Sequence, residues 1–353
     1  MIFSIENAAK NRTLTIENDE IFNRIISAYT KAKIIQANEP ISYQVGYLWL
    51  PVYERYMFEV MGALKCSNVK QLKSIYNNFF RNSCSSGLHG MHLEVEQHFD
   101  GNEIHPSIRD RFFHDSLHRL NLWIELTEKR IPVEALVSND VGNPYGFTLN
   151  DHFIRSGSDY HHYYATIINR LIRDPNRQTV TEIGGGFGGM AYFLMRDNPN
   201  ITYIDFDLPE NLALASFYLL SSFPEKKIAL FGEIDMANDD LNDFDAVLLP
   251  NFSLKDMQSN SADLTFNSYS LAEMSPETIN EYFSHINRFT SKFIFHVNHN
   301  KVTQMNAHEF GVDQDKFELV YRAPALWNLS RDKDMDEFEF LYKRQDMNFT
   351  VKA

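Results

Sequence analysis

The chain has 353 residues, 44% hydrophobic and 23% charged, the balance of an ordinary globular protein with room for two domains or one domain with a large extension. A net charge of -14 argues against the basic surface that a nucleic-acid backbone or an anionic membrane would need, and no apolar run is long enough to span a bilayer. Two cysteines, Cys66 and Cys84, stand outside any CxxC pair, and the opening MIFSIENAAKNRTLTIEND has no basic segment followed by an apolar core; a reduced, cytoplasmic setting is expected, without a disulfide framework.

Ile21, Ile25, Ile26 and Tyr29 predict a short amphipathic helix. Residues 41–80 carry Tyr43, Tyr47, Trp49, Tyr53, Tyr56 and Phe58 and are read as helical. Asn82 to Gly90 is a loop by composition. From Pro106 a helix follows, with Phe113, Leu117, Leu120 and Ile124 at helical spacing, and Pro132 ends or kinks it. His114 and His118 lie four apart on that helix, a spacing that can hold a metal. Leu117 takes that face for the core and no third ligand is placed, so no metal is expected. The histidines at 89, 92, 98 and 105 are scattered through loop-like sequence. Ser138 to Leu149 reads as a second loop. Tyr160, Tyr164, Ile167, Ile168 and Leu171 then mark another helix. Residues 1–150 thus read as a mostly helical domain, and 151–353 as the domain that follows.

The second domain is organised around Gln178 to Leu208, QTVTEIGGGFGGMAYFLMRDNPNITYIDFDL. It predicts strand, glycine turn, helix, strand. The turn needs glycine because the chain reverses sharply and its backbone must come close to a ligand. The new helix presents free N–H groups there, and an acid ending the second strand can accept hydrogen bonds from ribose hydroxyls. Gly184, Gly186 and Gly189 satisfy the dinucleotide pattern GxGxxG, which alone says little. Glu182, two residues before the first glycine, argues for S-adenosylmethionine instead: an acid there can hold an ammonium group, directly or by orienting the loop, whereas NAD offers it nothing. The expected cofactor contacts are Glu182, Gly184, Gly185, Gly186, Asp207 and Asn267, with Asp205 on the same strand face as Asp207 but at another depth.

Downstream, Glu210 to Phe223 is a helix, Lys227 to Phe231 a third strand, Phe244 to Leu249 a strand-like run, and Ala262 to Asn267 the next core strand. Ser275 and Pro276 start a helix whose apolar face is Ile279, Tyr282, Phe283 and Ile286. Lys292 to Val297 is a fifth strand; Phe317 to Tyr321 and Phe338 to Tyr342 suit an antiparallel pair. The alternation predicts an α/β fold: a Rossmann-like, mostly parallel sheet with a C-terminal antiparallel hairpin, preceded by the helical region. The hairpin is a second reason to expect S-adenosylmethionine rather than NAD.

EIGGGFGGMAY, YIDFDLPE and FNSYSLAEM resemble the class I methyltransferases from about Thr179 onward, and with the helical first half and the GNPYG loop the chain resembles the bacterial sugar O-methyltransferase family. The FDLP run favours Asp207 over Asp205 for the ribose. The resemblance implies methyl transfer from S-adenosylmethionine to a sugar hydroxyl, in a surface polysaccharide or a secondary metabolite. Adenine contacts are expected near Pro250 to Phe252.

Ligands of open α/β sheets bind beyond the carboxyl ends of the strands. That rule brings forward Asn267 to Ser270 with Glu273, and His296 to Asn300. Methylating a hydroxyl needs positioning and a base for its proton, so His299 or Glu273 is the expected base. Glu273 could instead cap a helix or orient the cofactor loop, and His299 could be a solvated loop residue. Among Tyr160, His161, His162 and Tyr163, adjacent residues diverge by about 100°, so at most one histidine, expected to be His162, reaches the acceptor; the alternative is an ordinary amphipathic helix. The acceptor is expected to be a small molecule or glycan. The helical half is expected to cover it, to form a homo-oligomer, or both. Competing readings are methylation of a non-sugar small molecule, an NAD-dependent oxidoreductase, and a domain with a vestigial site.

Overall fold

The structure is a computed structural model that describes residues 2–88, 95–301, 304–331 and 333–346; His89 and His92 lie outside them. The first half is mostly helical. Helices α1 (Asp19–Gln36), α2 (Leu50–Tyr56), α3 (Phe58–Lys65), α4 (Val69–Tyr76) and α5 (Pro106–Leu126) are joined by short 3-10 turns. α1 starts where the Asn18 side chain accepts the Glu20 N–H; it buries Ile25, Ile26 and Tyr29 as its spacing predicts, with Phe22 buried in place of the expected Ile21, which is half-buried.

On α5 the buried side is Phe112, Ser116, Leu120 and Trp123, with Asp115. It is offset by one residue from most of the predicted apolar face, because polar Asp115 and Ser116 are buried against other parts of the chain. The predicted loop 138–149 is in part strand. β4 (Gly146–Leu149) pairs with β5 (His152–Arg155) and with the N-terminal β1 (Phe3–Ser4), while β2 (Phe99–Asp100) and β3 (Glu103–Ile104) form a small ribbon. Helix α6 (Ser158–Leu171) leads into the main sheet.

That sheet contains β6 (Gln178–Ile183), β7 (Ile201–Asp207), β8 (Ile228–Leu230), β9 (Ala246–Pro250), β10 (Ala262–Ser268), β11 (Thr290–His299), β12 (Phe317–Pro324) and β13 (Glu337–Arg344). Their spatial order is β12-β13-β11-β10-β6-β7-β9-β8. β6 to β11 pair in parallel, and β13 and β12 close the sheet antiparallel, the predicted arrangement. The run expected as third strand, β8, lies at the edge, and β9 takes the place beside β7.

Both faces of the sheet are covered, and the period of two shows it. Tyr203, Ala246, Leu248 and Phe266 point into one apolar cluster with α7 (Gly189–Asp197) and α8 (Pro209–Ser222). Ile204, Phe206, Val247 and Leu249 point into the other with α9 (Pro276–Phe289). Ser275 caps α9 by accepting the Thr278 N–H. The first cluster runs from Ile5 to Leu341 and so draws on both halves of the chain. The order reverses at β6, which has β7 on one side and β10 on the other. At such a switch point the loops diverge and leave a crevice. Among the described residues no helix is long and apolar enough to cross a membrane.

Candidate active site

A cavity of about 760 Å³ opens at the carboxyl ends of the parallel strands. Its lining follows the strand order: Asn251 after β9, Asp207 and Leu208 from β7, Gly184 to Gly186 after β6, Ser268 to Ser270 and Glu273 after β10, His299 from β11, and Glu337 opening β13.

The glycine turn is packed against its neighbours. Gly184 has φ +74°, and a Cβ there would lie 2.3 Å from the Ser270 hydroxyl. A Cβ on Gly185 would lie 2.6 Å from Asp205 Oδ2. The turn is held from below by the two acids of β7. Gly185 N–H donates to Asp205 Oδ1 at 3.1 Å and Gly186 N–H to Asp207 Oδ2 at 3.2 Å. Asp207 Oδ1 also accepts from Leu208 N–H at 2.6 Å and Asn211 Nδ2 at 3.0 Å. Both acids therefore face the turn, as strand alternation requires, but only Asp207 lines the cavity. Asp205 is fully buried beneath the loop, which removes it from the direct contacts expected of it and makes it a support for the turn.

Glu182 lines the cavity and accepts the Tyr203 hydroxyl at 2.6 Å. Burial pushes its carboxyl up to about 7 and that of Asp207 up to about 6. Asp205 is raised well above the usual carboxylate range, by burial and then by the charges of Asp207 and Glu182. Its Oδ2 has no hydrogen-bond partner among the described residues. Three buried carboxyls so close together, with no Lys or Arg lining this end among the described residues, suit a cationic ligand. S-adenosylmethionine, with its ammonium and sulfonium, fits that requirement; a pyrophosphate would be repelled.

Asn267, expected among the cofactor contacts, is buried and outside the lining. It donates to Ile183 O at 2.8 Å and Ser270 Oγ at 2.6 Å and accepts from Asn298 at 2.8 Å, so it locks the ends of β6, β10 and β11 together. His162 also lies elsewhere. Its Nδ1 accepts from Trp123 at 3.1 Å and its Nε2 is 3.7 Å from Asp197; burial lowers it to about 4. Its neighbour His161 lines the cavity instead, because one residue turns the helix face by about 100°.

The two candidate bases differ. Glu273 lines the cavity, accepts the Trp49 indole N–H at 2.8 Å, and is pushed up to about 7 by burial, against the pull of that hydrogen bond. His299 also lines the cavity and lies near-parallel to Tyr269 with centroids 5.9 Å apart. Its Nδ1 accepts the Lys301 backbone N–H at 3.2 Å. A backbone nitrogen can only donate, so the neutral ring carries its proton on Nε2 and has no lone pair left for a substrate proton. Burial lowers its pKa.

Two segments distant in sequence complete the walls. Residues 41–50 contribute Gln44, Tyr47 and Trp49. They are anchored by Tyr43, whose hydroxyl donates to Glu281 at 3.1 Å and whose ring stacks on Tyr282. At the other end, Leu326 O accepts from His118 at 2.8 Å, Asn328 accepts from Arg119, and Ser330 and Arg331 both bind Asp115, at 2.6 and 2.5 Å. The HDSLH run thus pins the connection between β12 and β13 to α5. Among the described residues no three His, Cys, Asp or Glu side chains group as metal ligands. Arg119, Asn328, Arg331, Glu337 and Trp49 went unnoticed as site residues in the sequence, because no spacing rule links them. Tyr269 carries a φ of +63°, rare for so bulky a residue, and this turns its ring into the cavity wall.

Residues 171–264 match the family model of an O-methyltransferase domain. No curated protein matches the chain. Among solved structures, the pyocyanin biosynthetic protein PhzM is 12% identical over 54% of this chain and 56% of its own, with a TM-score of 0.34; the match spans about half the length of that protein. A TehB-like SAM-dependent methyltransferase from Corynebacterium glutamicum is 12% identical over 66% of this chain and 99% of its own, at 0.36. Phosphoethanolamine N-methyltransferase 1 of Haemonchus contortus, in complex with phosphoethanolamine and S-adenosylhomocysteine, is 11% identical over 69% and 51%, at 0.36. The family match spans β6 to the start of β10, the strands that frame the carboxyl-lined end of the cavity. Residues 171–264 thus carry a likeness to an O-methyltransferase domain, on a mostly parallel sheet closed by an antiparallel pair, and the carboxyl-lined end of the cavity suits S-adenosylmethionine.

Proposed function

We propose that the chain methylates a hydroxyl group of a sugar, with Glu273 as the general base. The observation that carries the base assignment is the Glu273 carboxyl itself: in the cavity wall, with a single donor on one oxygen, and poised by burial at about 7. A base near neutrality is ionised often enough to act and basic enough to accept a proton. Glu182, Asp207 and the glycine turn would hold the cofactor, and Asp205 would hold the turn. When bound, S-adenosylmethionine supplies an electrophilic methyl group. Glu273 takes the proton of the acceptor hydroxyl as that oxygen becomes a nucleophile, and Trp49 N–H stabilises the carboxylate before transfer. The rest of the site orients the hydroxyl, and orientation is a large part of the rate.

Sugar is favoured over other acceptors by the lining beyond β10. It combines flat polar forks, Arg119, Asn328 and Glu337, with the aromatic Tyr160 and Tyr269, whose rings lie 19° from parallel. Planar donors and acceptors match paired hydroxyls, and aromatic faces match the C–H faces of a pyranose. Residues 1–150 serve in this reading as the acceptor's cover. The family match to an O-methyltransferase domain agrees with a hydroxyl as the target.

Calorimetric titration with S-adenosylmethionine, S-adenosylhomocysteine and NAD, followed by labelled methyl transfer to a panel of monosaccharides and small phenols, tests the proposal. Label on a sugar oxygen supports it. Label on phenols with none on sugars replaces sugar by another small molecule.

A further inference from the structure

The helical first half reaches the cofactor end of the cavity through α2. Trp49 stands just before that helix and Tyr53 one turn into it, a spacing that puts both on one face, and their rings meet edge-on with centroids 5.9 Å apart. Trp49 donates to Glu273. Tyr53 is buried behind the cavity wall, and its hydroxyl donates to Asn211 Oδ1 at 3.3 Å. The amide of Asn211 in turn donates to Asp207 Oδ1 at 3.0 Å. Asn211 and Asp207 both line the cavity.

The direction of this chain follows from the groups in it. An ionised Asp207 can only accept, so Asn211 turns its NH2 toward the carboxylate and its oxygen away. That oxygen is buried and needs a donor, and Tyr53 supplies it. Burial, then the charges of Glu210 and Asp207, raise the Tyr53 hydroxyl well above its usual range, so it keeps its proton to donate. Asp207 relies on such neutral donors. Burial pushes its carboxyl up; the Asn211 amide leads the groups that oppose this, followed by the Leu208 and Gly186 N–H groups, while Glu210 adds to the rise. Glu182 from β6, Asp205 beside it on β7 and Glu273 after β10 also face it, and all are carboxyls. Leu208 and Asn211 occupy Oδ1 and Gly186 takes one side of Oδ2, which leaves one lone pair of Oδ2 to accept a ribose hydroxyl.

We infer that Tyr53 is a positioning residue for the cofactor: acting through Asn211, it holds the Asp207 carboxylate in the orientation that accepts the ribose. The inference rests on Asp207 being a cofactor contact in the proposed reaction, and it adds a residue of the helical half to that contact. One turn of α2 then carries two separable duties, Trp49 toward the base and Tyr53 toward the ribose acid. Tyr29 is the matched control. It is buried at the same helix boundary, and its hydroxyl donates at 3.4 Å to Glu210, the residue before Asn211 on α8. Glu210 pairs with Lys33 at 2.9 Å and stands outside the cavity lining.

The test is calorimetric titration of S-adenosylmethionine and S-adenosylhomocysteine into the full chain, as wild type, Tyr53→Phe, Asn211→Leu, the double variant and Tyr29→Phe. Tyr53→Phe keeps the ring against Trp49 and removes only the hydroxyl. It is expected to weaken both nucleosides roughly three- to tenfold at pH 7, as the loss of one hydrogen bond predicts, and to move the rise of affinity to higher pH. In turnover the loss should fall on KM for S-adenosylmethionine, while kcat and the limb assigned to Glu273 stay in place. Asn211→Leu should weaken binding at least as much, and Tyr53→Phe added to it should change affinity by less than about twofold. Tyr29→Phe should leave affinity unchanged. Wild-type affinity in Tyr53→Phe or in Asn211→Leu, an undiminished effect of Tyr53→Phe in the Asn211→Leu background, or an equal loss in Tyr29→Phe overturns the inference and leaves the cofactor reading standing. A wild-type chain that binds neither nucleoside overturns the cofactor reading, and this inference with it.

Discussion

Replacing Trp49 by phenylalanine isolates the Glu273 carboxyl. The indole N–H donates to Glu273 Oε2 at 2.8 Å, and a hydrogen bond to a charged group contributes about 1.5–3 kcal/mol. It favours the ionised form, so its loss raises the carboxyl's pKa by about 1–2 units, at 1.36 kcal/mol per unit. From about 7 the ionisation moves toward about 8–9. At pH 7 the ionised fraction then falls roughly five- to fiftyfold, and turnover with it. The ring is largely preserved, so the plateau at high pH should stay within a few-fold of wild type. The assay is the initial rate of S-adenosylhomocysteine release across pH, taken as kcat/KM for the acceptor. A rising, acid-side limb that shifts to higher pH while cofactor affinity holds is the expected result. Glu273→Gln should abolish the limb and lower the rate about 10²–10⁴-fold. A Trp49→Phe profile that superimposes on wild type would refute the reasoning, because Glu273 would then not be the titrating base.

His299→Gln should keep the limb and most of the rate, since a ring protonated on Nε2 is not taking the proton; loss of the limb in this variant would move the base to His299. Gly184→Ala places a methyl 2.3 Å from the Ser270 hydroxyl at φ +74°, so a drop in thermal stability, from strain of about 1–3 kcal/mol, is expected together with weakened cofactor binding in calorimetry. Cofactor affinity should depend on pH through Glu182 and Asp207, whose folded-state pKa values are raised to about 7 and about 6. Both are raised above their unfolded values, so they stabilise the cofactor-free fold at low pH and lose that contribution as pH rises through about 6–7. A cationic ligand binds the ionised form, so S-adenosylmethionine should bind more tightly as pH rises through the same window, with a flatter profile in Glu182→Gln. A pH-independent affinity in wild type would count against a cation held by these acids.

The glycine-turn end of the cavity was legible because it is local. Glu182, the glycine turn and Asp207 fall within one strand–turn–helix–strand unit, and the strand period alone puts Asp205 and Asp207 on one face. What the period cannot supply is depth, and depth decides that Asp207 lines the cavity while Asp205 supports Gly185. Helix phase failed in the same way by one residue, at His161 against His162 and on α5. In each case a tertiary partner, Trp123 for His162 and Arg331 for Asp115, fixes what propensity leaves open. The acceptor end was illegible for a different reason. Arg119, Tyr269 and Asn328 come from three distant stretches, and nothing in their spacing relates them before the sheet order is known.

The same distance explains why the chemistry needs the whole chain. Glu273 sits on a short turn after β10 and would be an ordinary carboxylate near 4.5 if that turn met water. Its rise to about 7 comes from burial, and the partner that its oxygen meets there is Trp49, in the segment that Tyr43 ties to α9. At the opposite wall, α5 places Arg119 only because Asp115 and His118 grip the connection before β13. The parallel strands alone would bring a cofactor to an open crevice. The helical first half and the closing hairpin supply walls that bury the cavity lining, and burial is what raises the Glu273 carboxyl to about 7, the range the proposed base needs. A fragment containing the glycine unit but lacking residues 41–50 should therefore leave any base at Glu273 with the pH profile of an exposed carboxylate.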